Sequence, residues 1–413
     1  MDIDSCAERY VKLALAVGAF APGYIDAYYG PEEWRVGPDD AVPRRGFPAA
    51  EFKARAAALL RDLAAASRAH PEPPARLRLE FLHKQMIAVQ AEIQVLAGGK
   101  FTFDAESKMF YDAVAPVRKK EEFERTIAEL ETALPGPGRL LDRLAAFRKD
   151  YLIPADRLPA VFDAAIGECR RRTLSRINLP ENENFKAAYV KDKPWGAYNW
   201  YKGNAFSVIE VNTDLPMHID APLRLAAHEG YPGHHVYNSL LEQKLVKEKG
   251  WVEFTVYPLF SPQSLIAEGT ANCGMDLLFP GEERTEFEKK VLYPLAGLDP
   301  RLAERYSRVQ KLLAGLRHAE NEAARGYLDG KFSREEAIAW LGRYSLESPE
   351  RAAKTIDFWN TYRSYVINYN LGEDIVRTHI EKAAGRGAPL ERKWQVFYGI
   401  LTTPRTPSGL SEL

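Results

Sequence analysis

Three of the chain's eight histidines fall in one short stretch, Ala227-His228-Glu229-Gly230-Tyr231-Pro232-Gly233-His234-His235, and a Pro-Gly pair lies inside it. That pair constrains the local fold severely. The preceding Leu223-Arg224-Leu225-Ala226-Ala227 has helical composition. Proline removes a backbone donor and clashes with the preceding turn, whereas glycine admits dihedrals that other residues avoid. A regular helix would not bring the histidines together in any case. In His-Glu-x-x-His, positions i and i+4 share one face. Here the second histidine comes at i+6 or i+7, on roughly the opposite face or about 10 Å further along. A bulge at Pro232-Gly233 that absorbs two residues would return His234 to the place of an i+4 histidine. The stretch is either a modified metal helix or no metal site at all.

Imidazoles are standard zinc ligands, and a carboxylate beside one of them is the usual proton acceptor for water activated by the metal. His228 and His234 would ligate, and Glu229 would stand by as base. A catalytic zinc needs a third protein ligand and an open position. Glu268 is the candidate, because it sits in an otherwise apolar segment (Leu265, Ile266, Ala267, Gly269, Ala271) where a carboxylate needs solvent or a partner. Small Gly269 and Ala271 would let this helix approach the first. The plainer readings are a surface glutamate at Glu268 and a hydrogen-bonded core histidine at His228. His235 rivals His234, or else lines the cleft as a donor to a substrate carbonyl. A ligating histidine needs an acceptor on its other nitrogen, which Asn272, one turn beyond Glu268, can offer; Asp276 is on nearly the same face. Cys273 reads as packing. Gly-rich phosphate loops, Cys-x-x-Cys pairs and a Gly-x-Ser-x-Gly elbow are absent.

With these residues in view the chain resembles a widespread bacterial family, numbered 885 among the domains of unknown function, that looks like zinc-dependent peptidases of the glutamate-liganded, thermolysin-like superfamily. The signature His-Glu-x-x-Pro-Gly-His matches His228–His234, and a Glu-Gly-small-aliphatic element matches Glu268-Gly269-Thr270-Ala271, with Thr270 where a Trp is common. Tyr24-Ile25-Asp26-Ala27-Tyr28-Tyr29-Gly30-Pro31, Ser333-Arg334-Glu335-Glu336-Ala337 and Tyr369-Asn370-Leu371-Gly372 extend the likeness over nearly the whole chain. It departs at Leu328, near a place where the family often has histidine, and at Arg363-Ser364-Tyr365, where Pro-Gly-Gln is usual. The resemblance implies His228, His234 and Glu268 as ligands of one zinc ion per chain, Glu229 as general base and Tyr369 as donor to the developing oxyanion. Tyr365 and His235 are further donors, and Arg363 could pair with a substrate carboxylate.

The implied activity is hydrolysis of peptides or small amides. A metal-dependent hydrolase of a non-peptide amide or ester, and a catalytically silent helical binding protein, are the alternatives; the retained Glu229 argues against the last, since a structural site closes its fourth position with protein.

Elsewhere the 413 residues read as mostly α, a zincin-like helical body with a small β-sheet beside the metal helices. Helices are expected at 5–28 (bent near Pro22-Gly23), 51–69, 76–96, in pieces over 104–150, at 158–174 and at most later segments. Residues 32–49 are turn-rich and 180–197 read as a loop. A hairpin is expected from 198–201 and 205–212, whose second strand, ending at Asn212, would be an edge that holds an extended peptide. Ser333 and Glu336 form a capping box, and 402–413 a polar tail. The chain divides into an N-terminal helical region, 1–179, and a metal-binding region, 180–413, in one body with a cleft. A net charge of -1 removes the compositional case for nucleic acid or anionic membrane. Three scattered cysteines make no disulfide framework. With no spanning segment and no basic leader, a cytoplasmic location is expected.

Overall fold

The computed structural model describes residues 2–36, 46–70, 72–193, 195–214 and 216–412; part of the turn-rich stretch at 32–49 lies outside them. The architecture is mostly helical with a small sheet. Strong 3.6-residue patterns became helices close to their expected bounds, at Ala49–Ala69, Ala75–Leu96 and Leu158–Leu174. Pro116 and the Pro135–Gly138 turn separate Phe103–Tyr111, Lys120–Ala133 and Leu140–Arg148. The capping box forms in both directions, Glu336 N–H to Ser333 Oγ at 3.1 Å and Ser333 N–H to Glu336 Oε2 at 2.7 Å.

The β structure is larger than the sequence reading. Strands β1 (Ile25–Tyr28), β2 (Asn184–Val190), β3 (Ala197–Tyr201), β4 (Phe206–Asn212) and β5 (Val256–Pro258) form two small sheets, β1-β5 and β2-β4-β3. The expected hairpin is the antiparallel β3-β4 pair. Three expectations are corrected. The first helix stops at Gly18 and residues 25–28 leave it to pair with β5. The supposed loop at 180–197 contains β2, which pairs in parallel with β4 in unbroken register. In consequence β4 is the central strand, its backbone bonded on both sides, so the 205–212 segment is not an edge that can accept a peptide. Asn212 instead ties the sheet end together, its Nδ2 donating to the carbonyls of Lys193 (2.9 Å) and Trp195 (3.0 Å). The tail is also partly helical, Pro407–Ser411, with Leu410 in the core.

The hydrophobic core crosses residue 180. One cluster joins Phe81, Phe162 and Cys169 to Leu223, Tyr231, Ile266, Cys273 and Phe397. A second packs the first three helices against Val256 of β5. Between them Arg78 clamps the fully buried Glu253 bidentately, at 2.6 and 3.0 Å, and also reaches Asp4 at 2.6 Å. Breaking such a pair strands an uncompensated charge, which is where its structural weight lies.

The helix Pro262–Leu278 is buried along almost its whole length and packs closely against Ile367–Ala384. The contact is backbone to backbone: a Cβ on Gly269 would lie 2.4 Å from Gly372 O, and one on Gly372 2.6 Å from Leu265 O. Gly269 thus serves the contact with Ile367–Ala384. Its expected role, close approach to the histidine motif, falls to Gly274, whose added Cβ would meet Pro232 Cγ at 2.6 Å. Gly269→Ala is expected to push these helices apart and to cost about 1–3 kcal/mol, as overpacking does. Equilibrium unfolding of the purified variant measures this, and an unchanged midpoint would refute the close contact.

Candidate metal centre

The histidine motif folds as two helices meeting at a break. Ala221–Leu225 is α-helical, Ala226–Gly230 widens into a π-helical turn, and a new helix begins at His234. The chain between them turns at Tyr231, Pro232 and Gly233, with a cis Tyr231-Pro232 peptide. Gly233 N–H donates to Ala227 O at 2.9 Å, and Tyr231 N–H to Ala226 O at 3.0 Å. No side chain fits at Gly233: an added Cβ would stand 1.8 Å from His228 O. The irregularity is therefore a complete break with a wide final turn, more than a bulge in one helix.

This break brings the ends of two helices together with the middle of a third. His228 Nε2 lies 3.2 Å from His234 Nε2 and 3.3 Å from Glu268 Oε2, and His234 Nε2 lies 3.6 Å from that same oxygen. Among the described residues this is the group of metal-ligating side chains whose donor atoms converge, all within 4.8 Å. Glu268 is 6% exposed, and its Oε2 is buried with no hydrogen-bond donor. That oxygen is faced by the two imidazoles at ion-pair distance without a well-formed hydrogen bond, and the arrangement fits a cation bound between it and the two imidazoles in place of a proton on His234. Burial alone would raise the Glu268 carboxyl, yet His234 and His228 hold it well below its ordinary value. Conversely, burial disfavours charge on His234, but Glu268, followed by Glu229 and Asp26, raises its pKa.

The surroundings orient the three groups. Asn272 Nδ2 donates to Tyr369 O at 2.7 Å, which turns its side-chain oxygen toward His228 Nδ1 at 2.9 Å. The network therefore assigns the proton to Nδ1 and leaves the Nε2 lone pair facing Glu268 and His234. Tyr365 Oη donates to Glu268 Oε1 at 2.9 Å. Asp276 points elsewhere, to Arg377. Glu229 is 6% exposed, and its backbone carbonyl accepts from Asn199 Nδ2 of β3 at 2.7 Å. Tyr369 is 38% exposed beside Tyr365, with ring centres 5.7 Å apart. Its phenol is pushed well above the ordinary value by desolvation, and further by the Glu268 and Glu229 carboxylates.

Two expected participants are placed elsewhere. His235 is fully buried, with Nδ1 2.9 Å from Ser207 Oγ and Nε2 3.1 Å from Glu183 Oε2, so neither nitrogen is free to meet a substrate. The residue after His234 on a helix points away from it by about 100°, which is the physical reason. Arg363 is paired with Glu106, whose other oxygen accepts from Ser364 N–H at 3.0 Å and Oγ at 2.7 Å. That leaves Arg363 holding the bend before Ile367–Ala384 and not awaiting a carboxylate. Sequence reasoning missed Asn199 and Asp26. Asp26 interacts electrostatically with His234, Glu268 and Glu229, and its only sequence signal was its place within Tyr24–Pro31.

No protein-family model matches the chain, and no curated protein does. Among solved structures, a lipoprotein candidate from Colwellia psychrerythraea superposes with a TM-score of 0.56 at 14% identity, covering 87% of this chain and 69% of that one. Another, of unknown function, from Shewanella oneidensis gives 0.48 at 11% identity, covering 88% and 72%. The Colwellia likeness is one of fold. Among the described residues no helix is long and apolar enough to cross a membrane.

Two outcomes follow from this geometry. If the three side chains hold zinc in the wild type, Gly233→Ala is expected to keep most helical circular dichroism but lose zinc uptake in equilibrium dialysis; uptake equal to wild type would show that the break does not position the ligands. If His228, His234 and Glu268 take up zinc, binding near pH 7 should release roughly one proton, because Glu268 raises the pKa of His234. Calorimetry in two buffers of different ionisation enthalpy reads that number, and zero released protons would contradict it.

Proposed function

We propose that this chain is a zincin-like, metal-dependent hydrolase of peptide bonds, related to the family it resembles in sequence. The observation that carries the reading is the convergence of His228, His234 and Glu268 around a buried carboxylate oxygen that lacks a donor, with Glu229 adjacent in sequence to the first ligand. One zinc ion per chain is the proposed cofactor; when bound, it would supply Lewis acidity that polarises the scissile carbonyl and lowers the pKa of water.

The chain's own residues supply the rest. His228, His234 and Glu268 hold the cation, with Asn272 and Tyr365 fixing two of them in orientation. Glu229 takes a proton from the attacking water and passes it to the leaving amine, so that one water is consumed and the C–N bond is replaced by a carboxyl and an amine. Tyr369 has a phenol that stays protonated, as a donor to negative charge developing on the carbonyl oxygen requires. The partly exposed histidines, at 15% each, leave an approach for substrate on their side.

The test is metal analysis of protein purified without chelator, together with a peptide-library assay. Near-stoichiometric zinc is expected, with His228→Ala losing it. Glu229→Gln should keep the metal while hydrolysis falls on the order of a hundred- to ten-thousand-fold, the usual worth of a general base. A wild type without metal, or a Glu229→Gln variant of full activity, would sink the reading.

A further inference from the structure

Beside the proposed centre stands a carboxylate that, among the described residues, belongs neither to the ligand set nor to an ion pair. Asp26 occupies the place in β1 where pairing with β5 slips: Ile25 opposes Pro258 and Ala27 opposes Tyr257, so Asp26 is the extra residue of a bulge. Bulges re-aim side chains and gather next to active sites. Here the carboxylate is turned to β3, where Tyr198 Oη donates to Asp26 Oδ1. The next residue of β3, Asn199, holds the Glu229 carbonyl, and β5 runs through a short connection into the helix carrying Glu268. Asp26 is thereby fixed against β3, whose opposite face holds the Glu229 backbone, and it acts electrostatically on His234, Glu268 and Glu229.

The charge balance around it is unusual. Asp26 lies outside the converging ligand group, and the hydrogen bond it accepts comes from the neutral phenol of Tyr198. Burial, with Glu268 and Glu229 adding to it against the pull of Tyr198 and His234, pushes its carboxyl up to about 6. Even a dication on the ligand set leaves the carboxylates of Asp26, Glu229 and Glu268 in excess. The wall on this side is aromatic: the rings of Trp195 and Trp200 lie 5.2 and 4.5 Å from that of Tyr198, and Trp195 Nε1 is buried without an acceptor. An anionic oxygen among aromatic faces is an environment that stabilises an ammonium ion.

We propose that Asp26, held by Tyr198, is the subsite for the free α-ammonium group of the substrate, so that the centre acts on peptides from an unblocked amino end. This rests on the peptide-hydrolase reading above. The α position is favoured over a lysine side chain by reach: an α-ammonium lies only about 2.5 Å from the carbonyl carbon of its own residue, which suits a countercharge placed against the ligand elements.

The experiment uses the zinc-loaded full chain with Leu-Gly-Gly, N-acetyl-Leu-Gly-Gly and N-acetyl-Lys-Gly-Gly, followed by kcat/KM and by calorimetric binding to Glu229→Gln. Acetylation is expected to lower kcat/KM roughly a hundredfold and to weaken binding, as loss of one partner of a desolvated charge pair does. Asp26→Asn should retain zinc and collapse the free-to-acetylated ratio to within a few-fold, with Tyr198→Phe shifting it the same way by less. If acetylated Leu-Gly-Gly is bound and cleaved as well as the free peptide, or Asp26→Asn leaves the ratio unchanged, the subsite is refuted while the hydrolase reading stands. Preference for the acetylated lysyl peptide over the free one also refutes it. Failure of the zinc-loaded chain to bind or cleave any of the three overturns both readings. Should Asp26→Asn not fold, the wild-type acetylation ratio and Tyr198→Phe decide alone.

Discussion

A buried carboxylate oxygen that receives no hydrogen bond is the constraint on which the site depends. Glu268 is placed in the middle of a helix hidden on nearly all sides, where ionised oxygen is expensive unless it is paired. One oxygen is satisfied by Tyr365, and the other faces two imidazole nitrogens. To hold the carboxylate there the helix must sit against Ile367–Ala384 at backbone distance, which only the Gly269–Gly372 crossing allows. The same neighbouring helix provides Tyr369 O, which sets Asn272 and through it His228. Packing and polar orientation are thus one arrangement, since moving either helix disturbs two of the three ligands.

The break at Pro232-Gly233 plays the complementary part. Helix ends present free backbone groups that must be satisfied locally, and here the π-helical turn and the Gly233 N–H to Ala227 O bond do so while reversing the chain sharply. His228 and His234 therefore meet from two helices instead of from one face of a single helix. His235, one step on, is carried into the core, where Ser207 and Glu183 satisfy it. Adjacent histidines receive opposite environments because helical rotation separates them.

Where burial produces strong periodicity, the sequence was legible. The helices at 49–69, 75–96 and 158–174 bury one face each and carry the pattern that follows from it. Strand β2 was not legible because it is largely exposed along its length and has no apolar alternation to read. Strand β1 was hidden in an Ala- and Tyr-rich run whose composition suits a helix equally well. Missing β2 led directly to the wrong status for β4, since an edge and a centre differ only in what lies alongside. Asp26 escaped for a similar reason: one aspartate in a short segment says nothing until a bulge and a tyrosine from another strand define its direction.

By itself the sequence determined the helical character of most of the chain, the disruption of any regular helix at Pro232-Gly233, and the small set of residue types from which a metal centre could be assembled. These are local properties, decided by dihedral limits and by side-chain chemistry. Only the tertiary structure decided which histidine faces Glu268, which glycine serves which helix contact, that Arg363 is already paired, and that Asp26 stands beside the centre. Those outcomes depend on contacts between residues tens to hundreds of positions apart, and side-chain direction at such contacts is set by how whole helices and strands pack.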